Sequence, residues 1–150
     1  IAALAAENIP LGVATSKLRS AAVSLLQGWA LADHFVTIQG AGTDPASALK
    51  ATVIGKALAD LIEAGVDTSR LVLVGDRHHD LDGAAEFGIP TIMVSWGYGL
   101  PGETSGAWAV ADTATELAHQ LGLPGLELSS LRTPGAYEQT VASPQTRHPQ

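Results

Sequence analysis

Apolar residues in this chain fall into two rhythms, short unbroken runs and longer stretches with helical spacing. Residues 1–8, "IAALAAEN", favour a helix through Ala, Leu and Glu. Asn8 and Pro10 stop it. "LGVAT", 11–15, is an apolar run of strand length. Residues 16–28 carry Leu, Val and Ala at helical spacing and predict a helix ending at Gly28. "HFVTIQG", 34–40, predicts a second strand, and "AGTDP" a turn. Residues 46–65 form a long helical pattern closed by Gly65. "RLVLVGD", 70–76, reads as a buried strand, "LDGAAEFG", 81–88, as a short helix, and "IPTIMVSW", 89–96, as another strand. A Gly-rich loop covers 96–106, "WAVA", 108–111, predicts a last short strand, and Thr113 with Glu116 forms a capping box that opens a helix to Leu121.

The strands are apolar throughout rather than alternating. Strands of that kind are buried on both faces, so the pattern predicts a parallel sheet between helices, an α/β sandwich. There is no internal repeat. After Gly122 the periodicity fails, and four prolines lie among scattered polar residues. The chain therefore divides into a core over 1–122 and a disordered tail over 123–150.

Composition narrows the function. With 150 residues the length suits one domain, and 46% hydrophobic against 15% charged residues allows a real core. A formal net charge of −7 argues against nucleic acid or an anionic membrane as partner, since both require a basic footprint. It fits a protein that handles small molecules, with a cation to offset local acidity. No cysteine is present, which excludes thiolate zinc sites and cysteine nucleophiles. No membrane span or signal peptide is visible, so the expected location is cytoplasmic. The chain opens on a helical pattern without methionine, and we read it as a segment of a longer or processed protein.

Three loops leave the carboxyl ends of the predicted strands, where ligands of open parallel sheets bind. Thr15-Ser16-Lys17 offers hydroxyls and backbone N–H groups at a helix start, an anion site or simply a cap. Lys50 is one of three lysines; Lys56, six residues on, points about 120° away and cannot easily serve the same site. Gly75-Asp76-Arg77-His78-His79-Asp80 places two carboxylates at a strand end, where one hard cation removes their repulsion. Asp82 reads as a first-turn acid favoured by the helix dipole, and His78 and His79 as solvated. Lysine and metal neutralise phosphoryl oxygens while a hydroxyl orients them.

With these residues in order, the chain resembles the haloacid dehalogenase-like (HAD) hydrolases, in particular their phosphoglycolate-phosphatase-like branch, over about residues 1–121. "PLGVATSK" looks like the family's second motif, with the phosphate-binding hydroxyl on Thr15 and Ser16 beside it. "LKATVIGKAL" resembles the third, with Lys50, and "LVLVGDRHHDLDGAAEFGIPTIMVSWGYG" the fourth, with Asp76 and Asp80 facing Mg²⁺. The resemblance implies a Rossmann-like three-layer sandwich and Mg²⁺-dependent hydrolysis of a small phosphorylated metabolite through an aspartyl-phosphate. Catalytic roles fall on Thr15, Lys50 and Asp76.

The family's first motif, D-x-D-x-[TV], is absent before Thr15. "DLDGA", 80–84, mimics it in letters but follows "RHH" rather than a buried strand. The resemblance thus implies a core incomplete at its N-terminus, without nucleophile, cap or central strand, and inactive alone. It also implies a sheet edge open to the missing segment or a partner. The alternative is a non-catalytic remnant that binds or regulates. A phospho-receiver domain would place its acids before the Thr and the Lys, the reverse of the order here.

Overall fold

The computed structural model describes residues 1–100 and 102–123. The expected tail lies outside them except for Leu123. That side chain is buried and its N–H bonds the Ala118 carbonyl at 2.9 Å, so the folded core includes it.

Helix α1 (Ala2–Ala6) leads into β1 (Gly12–Leu18), α2 (Arg19–Gly28), β2 (Thr37–Ala41) and α3 (Lys50–Glu63). Then follow β3 (Leu73–Gly75), α4 (His78–Ala85), β4 (Thr91–Val94), β5 (Ala109–Ala111) and α5 (Ala114–Gln120). Every strand pairing is parallel, with β1 on β2, and β3 on β4 on β5. The predicted α/β class is present. The expected single sheet, however, is two sheets, because no ladder joins β1 to β3 among the described residues. Each of those strands is bonded on one side only. Val74, in the middle of β3, is 42% exposed, although its apolar run suits a strand covered on both faces.

One boundary in this half differs from the sequence reading. Strand β1 continues through Ser16 and Lys17, and α2 starts only at Arg19, so neither Thr15 nor Ser16 is a helix cap. The register of β1 on β2 shifts between Thr15 and Leu18, an irregularity that carries the strand past the expected end. Helix α2 ends at Gly28 as predicted, but the left-handed residue that closes it is Ala30 (φ 55°), with Leu31 N–H bonding the Leu26 carbonyl at 2.8 Å. Gly65 (φ 75°) closes α3 as predicted.

Helix α3 ties the halves together. Its buried stripe is Val53, Ile54, Ala57 and Leu61, the spacing of one helical face. It packs on β1 and β2 and also on α4. The contact with α4 is close because two glycines allow it. A Cβ on Gly55 would lie 2.9 Å from Phe87 Cζ, and one on Gly83 would lie 3.0 Å from Ala51 N. An open groove beside β2 is lined by Val23 of α2, Val36, and Ala64 at the end of α3, so α2 and α3 flank that strand. In the other sheet β4 is central, and Ile92 and Met93 are fully buried.

Candidate active site

The site begins with the start of α3. Asp44 and Ser47 fold the segment before it into a 3-10 turn (Pro45–Ala48), with Ser47 N–H donating to Asp44 Oδ1 at 2.9 Å. Ser47 Oγ in turn accepts from Gly42 N–H at 2.9 Å, which ties the turn to the end of β2. This fixes Lys50 as the first residue of α3 rather than one inside a longer helix.

A lysine there opposes the helix dipole. Two acceptors offset it: Nζ donates to the Ala14 carbonyl at 2.6 Å and pairs with Asp80 Oδ1 at 2.7 Å. Lys50 thereby bridges β1 to α4 across the gap between the sheets.

Asp80 is the third residue of α4 and is buried. Its second oxygen, Oδ2, accepts from the N–H groups of Asp76 at 3.0 Å and Arg77 at 3.1 Å, so it satisfies amides at the helix start. Burial pushes its pKa up, but Lys50 and these two amides outweigh that and hold the carboxyl below its ordinary value.

Asp76 leaves β3 with Oδ2 accepting Tyr98 N–H at 2.7 Å. The Gly-rich loop must come very near for this. A Cβ on Gly97 would lie 2.3 Å from Asp76 Cβ, and one on Gly99 2.2 Å from the Asp76 carbonyl oxygen. Both positions therefore require glycine. Oδ1 of Asp76 has no hydrogen-bond partner among the described residues.

Lys50, Asp80 and Asp76 thus form one bonded network, with the Ala14 carbonyl as its contact on β1. Thr15 follows Ala14 directly. Its Oγ1 accepts from Lys17 N–H at 3.2 Å, so the hydroxyl is bonded within the irregular end of β1, and Ser16 is exposed. The sequence reading of His78 and His79 as solvated needs correction for His78. Its ring Nδ1 lies 3.0 Å from Glu103 Oε1, and its ring meets that of His79 at a 45° tilt with centroids 3.8 Å apart. Arg77 Nε donates to the other Glu103 oxygen at 3.0 Å.

The donors fit part of a Mg²⁺ shell. Magnesium takes one or two protein carboxylates plus water and phosphate oxygens. Asp76 offers a free oxygen, whereas both oxygens of Asp80 are already engaged. Asp80 is less available to a cation than its spacing suggested. No group of three or more His, Cys, Asp or Glu side chains able to hold a metal occurs among the described residues.

Glu103 and the Tyr98 amide were missed by sequence reasoning. The signals were present: two glycines flank Tyr98, and Glu103 is the sole acid between Glu86 and Asp112.

Comparison with known proteins identifies the family and the fold. A profile of haloacid dehalogenase-like hydrolases matches residues 1–94. The chain belongs to that family. It is 44% identical over 99 residues to the tyrosine-protein kinase PtkA of Mycobacterium tuberculosis, covering 66% of this chain and 33% of PtkA. It is 36% identical over 131 residues to a phosphoglycolate phosphatase of Rhodospirillum rubrum, covering 83% of this chain and 51% of that protein. A crystal structure of a predicted phosphatase from Clostridium acetobutylicum superposes with a TM-score of 0.72 at 28% identity, over 80% of this chain and 55% of the other. The PtkA structure superposes with a TM-score of 0.69 at 40% identity, over 81% and 56%. The chain spans a third to about half the length of the curated relatives named here. No helix among the described residues is long and apolar enough to cross a membrane.

Proposed function

We propose that this chain supplies the phosphate- and cation-holding part of a Mg²⁺-dependent phosphomonoesterase. The observation that carries this reading is the Lys50–Asp80–Asp76 network at the ends of β1 and β3, beside a gap between two half-paired strands. Lys50 neutralises phosphoryl oxygens, and the Thr15 hydroxyl with Ser16 orients them. Asp76 Oδ1 would hold the cation, which when bound offsets phosphate charge. Asp80 keeps Lys50 and the Asp76 backbone in place. The 150 residues offer no aspartate on a strand before Thr15, so the nucleophile of an aspartyl-phosphate route comes from a strand outside them. Such a strand would pair with the edges of β1 and β3 left unpaired among the described residues. The 36% identity to a phosphoglycolate phosphatase favours a small phosphomonoester as substrate.

The test combines the chain, fused or in trans, with an N-terminal portion of a family member carrying the D-x-D stretch. Mg²⁺-dependent turnover of p-nitrophenyl phosphate is expected, with little from the chain alone. Lys50→Ala and Asp76→Asn should abolish it; undiminished rates in both variants would overturn the assignment.

The 44% identity to PtkA favours a second reading, in which the same site serves phosphoryl transfer to a protein tyrosine. Incubating the reconstituted protein with ATP and a tyrosine copolymer separates the two, because only the second predicts phosphotyrosine. A purely binding remnant would show neither activity after reconstitution.

A further inference from the structure

The loop after β4 reaches Asp76 through a single amide, and something must hold it there. Tyr98 itself gives no anchor, since its side chain is 88% exposed. The anchor lies five residues on. Glu103 accepts from Arg77 Nε at 3.0 Å, from His78 N–H at 3.4 Å, and meets His78 Nδ1 at 3.0 Å. Its side chain is only 13% exposed. The two residues it grips follow Asp76 directly in sequence. The loop is therefore bonded to both sides of the β3–α4 junction, by Tyr98 to the Asp76 carboxylate and by Glu103 to the next two residues.

We propose that Glu103 is a positioning residue for the cation site. Its clamp on Arg77 and His78 seats the Tyr98 amide on Asp76 Oδ2, which leaves Oδ1 as the oxygen that would hold a cation. This inference rests on the phosphatase reading above, because it assigns Asp76 to Mg²⁺. Glu103 touches neither the cation nor a substrate and acts through the orientation of Asp76. Groups that orient a metal ligand in this way commonly change metal affinity by about 10–100-fold when removed.

Partial burial pushes the Glu103 carboxyl up, but hydrogen bonds from Arg77 and His78 outweigh it and hold the pKa down at about 2.

The experiment titrates the 150-residue chain with MgCl₂ and follows backbone amides by NMR, together with hydrogen exchange at Tyr98. Glu103→Ala and Arg77→Leu break the same clamp but change net charge in opposite directions. Both should weaken Mg²⁺ about tenfold and speed Tyr98 exchange, with less than additive loss in the double variant. Glu103→Gln, which keeps one acceptor and the side-chain volume, should recover part of the affinity. Tightening in Arg77→Leu with weakening in Glu103→Ala would mean a simple charge effect and would overturn the proposal. Asp76→Asn separates the two levels of argument. If it abolishes Mg²⁺ binding while Glu103→Ala changes nothing, the clamp is wrong and the site stands. If Asp76→Asn itself leaves Mg²⁺ binding unchanged, the cation site and the clamp fall together.

Discussion

Lys50 and Asp80 meet head to head, Nζ to Oδ1 at 2.7 Å, with side chains only 13% and 10% exposed. They come from α3 and α4, and Nζ also holds the Ala14 carbonyl of β1. Removing one partner of a buried pair strands the other charge, at a cost of about 3–5 kcal/mol. Asp80→Ala also leaves the Asp76 and Arg77 amides without their acceptor, so it should lie within that range. Lys50→Met should cost less, because Asp80 keeps two amide donors. Urea denaturation of both variants checks the order; Lys50→Met as the more damaging change would contradict it.

The glycines of the loop after β4 allow a sharp comparison. Gly99→Ala would put a carbon 2.2 Å from the Asp76 carbonyl oxygen, a backbone atom that cannot move aside. The loop must shift and the Tyr98–Asp76 bond must break. Gly28→Ala, at the last residue of α2, meets nothing within 4 Å. It should be neutral or stabilise by about 0.5–1 kcal/mol through lost unfolded-state freedom and better helix propensity. Amide exchange at Tyr98 should rise in the first variant and stay unchanged in the second.

The elements were legible wherever one periodicity dominated. The stripe Val53, Ile54, Ala57 and Leu61 announces α3, and the run around Ile92 announces β4. Asp76, Asp80 and Lys50 could be assigned to one site because parallel topology brings strand ends to one rim. Local start points were not legible. Nothing in "ATSKLRS" shows that β1 runs to Leu18, because a register shift against β2 decides it. The division of labour between the two aspartates was also hidden. It depends on which oxygen faces Lys50 and which faces backbone amides, and that follows from tertiary packing. The partners of Glu103 were hidden for the same reason, since it lies 26 residues from Arg77, although its isolation as an acid marked the residue itself.

Away from the site, Asp60 of α3 accepts hydrogen bonds from Gln39 Nε2 at 2.6 Å and from the buried Thr37 hydroxyl, and so ties α3 to β2. These bonds, Gln39 first, hold its carboxyl below the ordinary value of an aspartate. A depressed folded-state pKa means that the native state binds fewer protons than the unfolded chain. The stabilisation is therefore complete above about pH 4 and is lost as pH falls through the folded value. Melting temperatures measured between about pH 2 and 6 should decline toward the acid end. Asp60→Asn should start lower at neutral pH and show a shallower decline. An unchanged acid slope in that variant would remove Asp60 from the account.

Gly83 sits inside α4, where helix propensity alone favours alanine by about 0.5–1 kcal/mol. Packing opposes the change. A Cβ there would lie 3.0 Å from Ala51 N and Lys50 Cγ, and 3.1 Å from Ile54 Cδ1. The Lys50 chain can bend away, but the Ala51 backbone cannot. Relief must come from α4 moving off the first turn of α3. Overpacking of this kind commonly costs about 1–3 kcal/mol, which exceeds the propensity gain. The same movement separates Lys50 from Asp80, since one lies on each helix. Gly83→Ala should therefore lower stability and weaken Mg²⁺ binding together. A more stable Gly83→Ala variant with unchanged Mg²⁺ affinity would show that α4 can slide without disturbing the pair. The network would then not depend on the closeness of the two helices.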